Sequence, residues 1–227
     1  MKVDLGDLTT IKSAAEEFTR RERRLDVLWN NAGVMEPPKG SVTAQVRTSR
    51  SSALSSSSAA AAAAKRRQSS GAYRIDSRFA GHELQLGTNC LGHFLLTQLL
   101  HPILRQTAAT SPANTGRVAW AGSLAIDFYT PPGGVDFDEQ GAVKYQNQKT
   151  SYGVSKAGNL FLASEFGRRV GGEGVVSVVF NPGNLRTELQ NTMSMVERYL
   201  VVRTSGAVGH RDCLIWYLPC FFRGAVG

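Results

Sequence analysis

Cysteine is scarce in this chain, with only Cys90, Cys213 and Cys220 among 227 residues. So sparse and odd a set excludes a fold stapled by disulfides. The four histidines, His82, His93, His101 and His210, match no usual metal-ligand spacing with one another or with the cysteines, so no metal site is expected. Long apolar runs are missing too. The longest candidate, residues 214–222, is nine residues, against about 20 for a membrane-spanning helix. Residues 1–4 lack the apolar stretch of a secretory leader. The expectation is a cytoplasmic protein without a membrane span.

Acidic residues are in deficit overall, giving a formal charge of +8 and an isoelectric point near 9.7. That balance would suggest an anionic partner if it were spread over the fold. It is not spread. Residues 1–40 carry seven charges of each sign and residues 81–190 carry eight of each. Residues 41–80 hold seven basic residues against one acidic, and residues 191–227 hold four against two. Two stretches account for the whole excess, which argues against nucleic acid as a partner.

The first of these stretches differs in composition from its surroundings. Residues 49–64 read SRSSALSSSSAAAAAA, followed by Lys65-Arg66-Arg67. Large apolar side chains are nearly absent there, so burial cannot offset the entropy of ordering. Residues 46–80 therefore read as a disordered low-complexity insert. The three basic residues suit a solvated loop tip better than a nuclear address, which needs a longer basic run.

Elsewhere short apolar strands alternate with amphipathic helices. Asp7 suits the cap of a helix with Ile11, Ala14, Ala15 and Phe18 on one face. Residues 25–29 read as a strand, residues 84–104 as one long helix, and residues 117–121 as a second strand. Residues 152–170 read as another helix, and residues 175–180 as a third strand. Alternation of this kind predicts a parallel sheet with helices on both faces. In such sheets ligands bind at the carboxyl ends of the strands, where Asn31, Ser123 and Asn181-Pro182-Gly183 fall.

The clearest chemical signal is Tyr152-Gly153-Val154-Ser155-Lys156. Tyrosine and lysine at i and i+4 share a helical face, so their polar tips can meet. A phenol titrates near pH 10 and works as an acid–base group at neutral pH only where a nearby cation favours its anion. By itself the pair also suits a solvated helix face. Asn31 and Gly33 suit a plain tight turn, Ser123 a helix cap, and Asn89 a buried structural amide.

Taken in order, these pieces resemble the short-chain dehydrogenase/reductase superfamily. Asn30-Asn31-Ala32-Gly33 is similar to its Asn-Asn-Ala-Gly turn, and Asn89 to its active-site asparagine. Ser123, Tyr152 and Lys156 match its catalytic residues, and the run from Pro182 to Thr187 matches its Pro-Gly loop. Asp4-Leu5 is similar to the family's aspartate beside the adenine. The resemblance covers roughly residues 4–40 and 81–190. It implies a doubly wound, Rossmann-like α/β fold, a single partial domain over residues 1–190 interrupted by 46–80, with a divergent tail over 191–227.

The resemblance also implies chemistry. Tyr152 exchanges a proton with an alcohol or carbonyl substrate, Lys156 lowers its pKa and holds the nicotinamide ribose, and Ser123 hydrogen-bonds the substrate oxygen. Asn89 anchors a water in a proton relay. Asp4, Leu5, Asn31, Ala32, Gly33, Pro182, Gly183, Leu185 and Thr187 contact the cofactor, NADP in preference to NAD, and many members form homo-oligomers. The 28 residues between Ser123 and Tyr152, with Asp136-Phe137-Asp138, are similar to the retinol-dehydrogenase-like subgroup. The rival reading is an inactive remnant that binds a partner through an exposed sheet edge or the Tyr152 helix.

One family motif, Thr-Gly-x-x-x-Gly-x-Gly, has no counterpart in the 227 residues. Its backbone N–H groups receive the cofactor pyrophosphate, so the fold is expected to be incomplete at its N-terminus. The purified 227-residue chain is accordingly expected to bind NADPH weakly or not at all. Micromolar affinity in a calorimetric titration would contradict this.

Overall fold

The structure, a computed structural model, describes residues 1–44 and 81–183. The expected insert over 46–80 and tail over 191–227 lie outside the described residues. So do Leu185 and Thr187.

Helix α1 (Leu8–Arg21) starts where Asp7 accepts hydrogen bonds from the Thr9 N–H and hydroxyl, at 3.0 and 2.6 Å. Its apolar stripe, Leu8, Ile11, Ala14 and Ala15, is buried. Strand β1 (Val27–Asn30) follows. It begins two residues later than the sequence suggests, because Leu25 is tied by its N–H to Thr107 Oγ1 at 2.9 Å. Strands β2 (Gly116–Ala121) and β3 (Val175–Phe180) complete a parallel sheet of order β1-β2-β3 among the described residues. Trp29 is opposite Ala119, and Ala119 is opposite Val178.

The stretch expected to be one helix over 84–104 is three pieces. A short α2 (Leu84–Leu86) runs into a π-helical turn (Gly87–Gly92), which runs into α3 (His93–Ala109). Wider turns of this kind are uncommon and concentrate at functional sites. Here the turn presses against the chain's first residues. A Cβ on Gly92 would lie 2.8 Å from the Leu5 carbonyl oxygen, and one on Gly87 would overlap Thr43. After β2 come a short α4 (Ala125–Tyr129) and the long α5 (Gln148–Val170). The latter starts four residues before Tyr152, since Asn147 Oδ1 accepts from Thr150 N at 2.9 Å and caps it there. Tyr152 therefore lies one turn inside the helix.

Among the described residues the helices of both crossovers lie on one face of the sheet. Both crossovers, β1 to β2 through α3 and β2 to β3 through α5, advance in the same direction. With the usual right-handed sense they place their helices on one face. The packing agrees: Leu104 of α3 and Ala163, Phe166 and Val170 of α5 share one core with Val118, Trp120, Val175 and Val179. Helix α1 packs outside α3, with Leu8 and Ile11 against Leu95, Leu96 and Leu99. On the opposite face Trp29 is 63% exposed and meets Phe180 edge-on, ring centres 5.0 Å apart. The small Ala119 and Ala121 between their strands leave room for that contact.

The close approach at the π-helical turn gives a stability test. Gly92→Ala is expected to lower the unfolding free energy by about 1–3 kcal/mol, read from urea midpoints, because the added methyl meets backbone. Gly171→Ala, in right-handed helical backbone with nothing near the new methyl, is expected to stay within about 0.5 kcal/mol. Equal effects would contradict the packing described.

Candidate active site

The carboxyl ends of the three strands converge on the first turns of α5. Asn89, presented by the π-helical turn, ties this region together. Its Oδ1 accepts from Val34 N at 2.8 Å, and its Nδ2 donates to Val34 O at 2.9 Å and to Ser155 Oγ at 3.0 Å. Ser155 in turn donates to the Tyr152 carbonyl at 2.7 Å. One buried amide thus fixes the turn after β1 to the helix carrying tyrosine and lysine. Gly33 is required by the same contact, since a Cβ there would lie 2.9 Å from Asn89 Oδ1. The Asn89 carbonyl accepts from His93 Nδ1 at 2.8 Å when that nitrogen carries the proton.

Tyr152 and Lys156 are both buried, and the ammonium lies 5.7 Å from the centre of the phenol ring. Lys156 Nζ donates to the Ala121 carbonyl at 3.3 Å, at the end of β2. Burial pushes the ammonium down to about 8. The phenol differs from the sequence expectation. Burial raises it above its ordinary value, and a hydrogen bond with Ser123 offsets this only in part. The Lys156 ammonium lies over the phenol ring and donates to Ala121 O. Ser123 is half-buried, and its Oγ also accepts from Ala125 N at 3.1 Å.

The other expected residues divide. Asp4, Leu5, Ala32 and Gly33 line a cleft of about 520 Å³, with Thr88 and His93 deeper in its wall. Asp4 Oδ1 is engaged by Gly6 N at 2.8 Å. Asn31 is exposed beside the cleft and is not among its lining residues. Pro182 and Gly183 follow β3, where Asn181 Oδ1 accepts from Gly183 N at 3.0 Å and Gly183 takes a φ of 75°. Four contributors were missed from the sequence. Ser155 and Asn159 looked like ordinary helix residues, although their spacing from Lys156 places them near the same end of β2. Asn30 is fully buried, donating to Thr97 Oγ1 at 2.8 Å. His93 is 2% exposed at the floor of the cleft. Among the described residues no group of three or more His, Cys, Asp or Glu could hold a metal ion, and no helix is long and apolar enough to cross a membrane.

No family model matches the chain. Curated relatives do. Over 203 residues it is 38% identical to the short-chain dehydrogenase/reductase pkfC of Emericella nidulans, covering 88% of this chain and 54% of that protein. Over 199 residues it is 39% identical to a short-chain dehydrogenase/reductase of Phomopsis amygdali, covering 87% and 49%. Its homologues are short-chain dehydrogenase/reductases. The chain spans about half the length of these curated relatives. The fold agrees with a solved structure, the NADP active-site complex of RhlG from Pseudomonas aeruginosa. That match has a TM-score of 0.53 and 22% identity, over 91% of this chain and 60% of the other. The α/β, parallel-sheet architecture is therefore that of Rossmann-like short-chain dehydrogenase/reductases.

The residues present fit the nicotinamide and ribose portion of such a cofactor. Gly33 lines the cleft close to both Asn89 and Lys156, since a Cβ there would lie 2.9 Å from Asn89 Oδ1 and 3.8 Å from Lys156 Nζ. Thr88 Oγ1 lines the cleft as a buried hydroxyl without a partner among the described residues. Lys156 meets one carbonyl at a long distance, leaving donors for ligand hydroxyls.

His93 supplies a pH test. Burial, the largest effect, pushes its imidazole down from the ordinary 6.5 to about 4, and the Lys156 charge adds to this. The unfolded chain therefore binds this proton first as pH falls. Stability is intact above pH 6.5 and is lost between there and pH 4, by about 3 kcal/mol. His93→Gln is expected to lose correspondingly less over that window in pH-dependent urea unfolding. Parallel curves for the two proteins would contradict the assignment.

Proposed function

We propose that this chain carries the reaction half of an NAD(P)-dependent short-chain dehydrogenase/reductase that interconverts an alcohol and a carbonyl compound. The observation that carries the reading is the convergence of Ser123, Tyr152, Lys156 and Asn89 at the carboxyl ends of the strands, in a chain whose homologues bear that family name. NADP is favoured over NAD, because the solved relative with the same fold is an NADP complex. The 28-residue span before Tyr152 and Asp136-Phe137-Asp138 support assignment to the retinol-dehydrogenase-like subgroup.

In this reading the nicotinamide supplies or accepts the hydride, and the chain's residues handle orientation and the proton. The Ser123 and Tyr152 hydroxyls hold the substrate oxygen, where negative charge grows during reduction. The phenol, raised by burial, is protonated at neutral pH and so is poised to donate. In the oxidative direction it must receive the alcohol proton, which requires the ammonium to approach and lower it. Lys156 holds the ribose hydroxyls. Asn89 fixes the turn bearing Ala32 and Gly33, and the second lone pair of its carbonyl is available to a relay water. Pro182, Gly183, Leu185 and Thr187 meet the nicotinamide end, while Asp4 and Leu5 flank the adenine. The protein works in the cytoplasm on a small alcohol or carbonyl compound, as a homo-oligomer.

A second reading draws on the uncovered sheet face. Trp29 and Val27 stay exposed beside the β1 edge, which suits an inactive remnant that binds a partner there. Turnover separates the two. In an active preparation, Tyr152→Phe is expected to reduce kcat by at least a hundredfold while leaving NADPH binding unchanged. A fully active Tyr152→Phe variant removes the phenol from this role.

A further inference from the structure

Ala121 ends β2, one position past the last β1–β2 pair, Asn30–Trp120. Its carbonyl oxygen receives two side-chain donors from positions three apart on α5, Lys156 Nζ at 3.3 Å and Asn159 Nδ2 at 3.0 Å. The two contacts are unequal. A firm ammonium bond closes to about 2.7–2.9 Å, so Lys156 is loosely held, whereas the amide contact has an ordinary length. Asn159 is fully buried, and its Oδ1 has no partner among the described residues. An apolar residue would fill that space without an unpaired oxygen. What only the amide adds is its N–H on Ala121 O.

We propose that Asn159 is a positioning residue for Lys156, keeping Ala121 O paired so that the ammonium can leave that carbonyl for a ligand hydroxyl. Without this amide, each departure of Lys156 would strand a buried carbonyl with no donor. The ammonium would then stay on the carbonyl and be withheld from the ligand. The inference rests on the reading of Lys156 as the residue that meets the cofactor ribose, and it adds the side chain that sets the ammonium free.

The test follows the lysine side-chain NMR signals of the full chain through a pH titration, with Lys156 assigned by the signal lost in Lys156→Met. In Asn159→Leu, Ala121 O has one remaining donor and draws it closer, so the Lys156 titration is expected to move up by about half a pH unit or more. Asn159→Ser is too short to reach the carbonyl and disturbs the packing differently. It is expected to give the same upward shift, and it keeps the test available should the leucine variant not fold. An unmoved Lys156 titration in either folded variant overturns the proposal. The reading it rests on fails separately, if Lys156→Met and Tyr152→Phe leave turnover intact in an active preparation. Loss of turnover in those two variants beside an unmoved titration in the Asn159 variants overturns this inference alone.

Discussion

The site depends on a single amide being close enough to backbone to hydrogen-bond it on both sides. Asn89 reads the N–H and the carbonyl of Val34 together, which fixes the turn after β1 in position and in orientation. That reach is open only because the helix widens at the π-helical turn and because residue 33 has no side chain. The third contact, to Ser155, extends the constraint to the helix that carries the phenol and the ammonium. Sheet, turn and helix are registered to one another at this point, and the strand-end geometry follows from it.

Around this strut the structure gathers titratable groups and withholds water from them. Lys156, His93 and Cys90 are all buried within electrostatic reach of the lysine. Burial disfavours charge on each: the thiol is pushed up to about 12 and the imidazole down to about 4. Both are therefore neutral at physiological pH. That leaves Lys156 as the charged member of the group, with no buried carboxylate beside it among the described residues. A lone ammonium in a dry pocket is costly to the fold. The cost is reduced when an incoming ligand supplies the hydroxyl oxygens that the pocket lacks.

Much of this was legible in the sequence. The three strands show as apolar runs closed by turn residues, and the cap at Asp7 follows local chemistry. Asn89, Ser123, Tyr152 and Lys156 were named from motif and order, and the structure brings them to one place. The failures have physical causes. The π-helical turn cannot be read from apolar periodicity, because its stimulus is a contact with Val34 across 55 positions of chain. The raised phenol follows from its burial, which the spacing of tyrosine and lysine does not state. Ser155 gains its role from Asn89, 66 positions away, and Asn159 from Ala121 at the end of β2, 38 positions away, and nothing local marks them.

Among the described residues the sheet holds two of the three tryptophans, and they differ in character. Trp120 is fully enclosed among the helices with its Nε1 on Ser177 Oγ at 3.1 Å, whereas Trp29 is 63% exposed on the other face beside Phe180. The indole of Trp29 is open to soluble quenchers and that of Trp120 is shielded from them, while Trp216 lies outside the described residues. Anything that comes to cover the open face, whether another stretch of polypeptide or another molecule, will change the indole of Trp29 and leave that of Trp120 as it was.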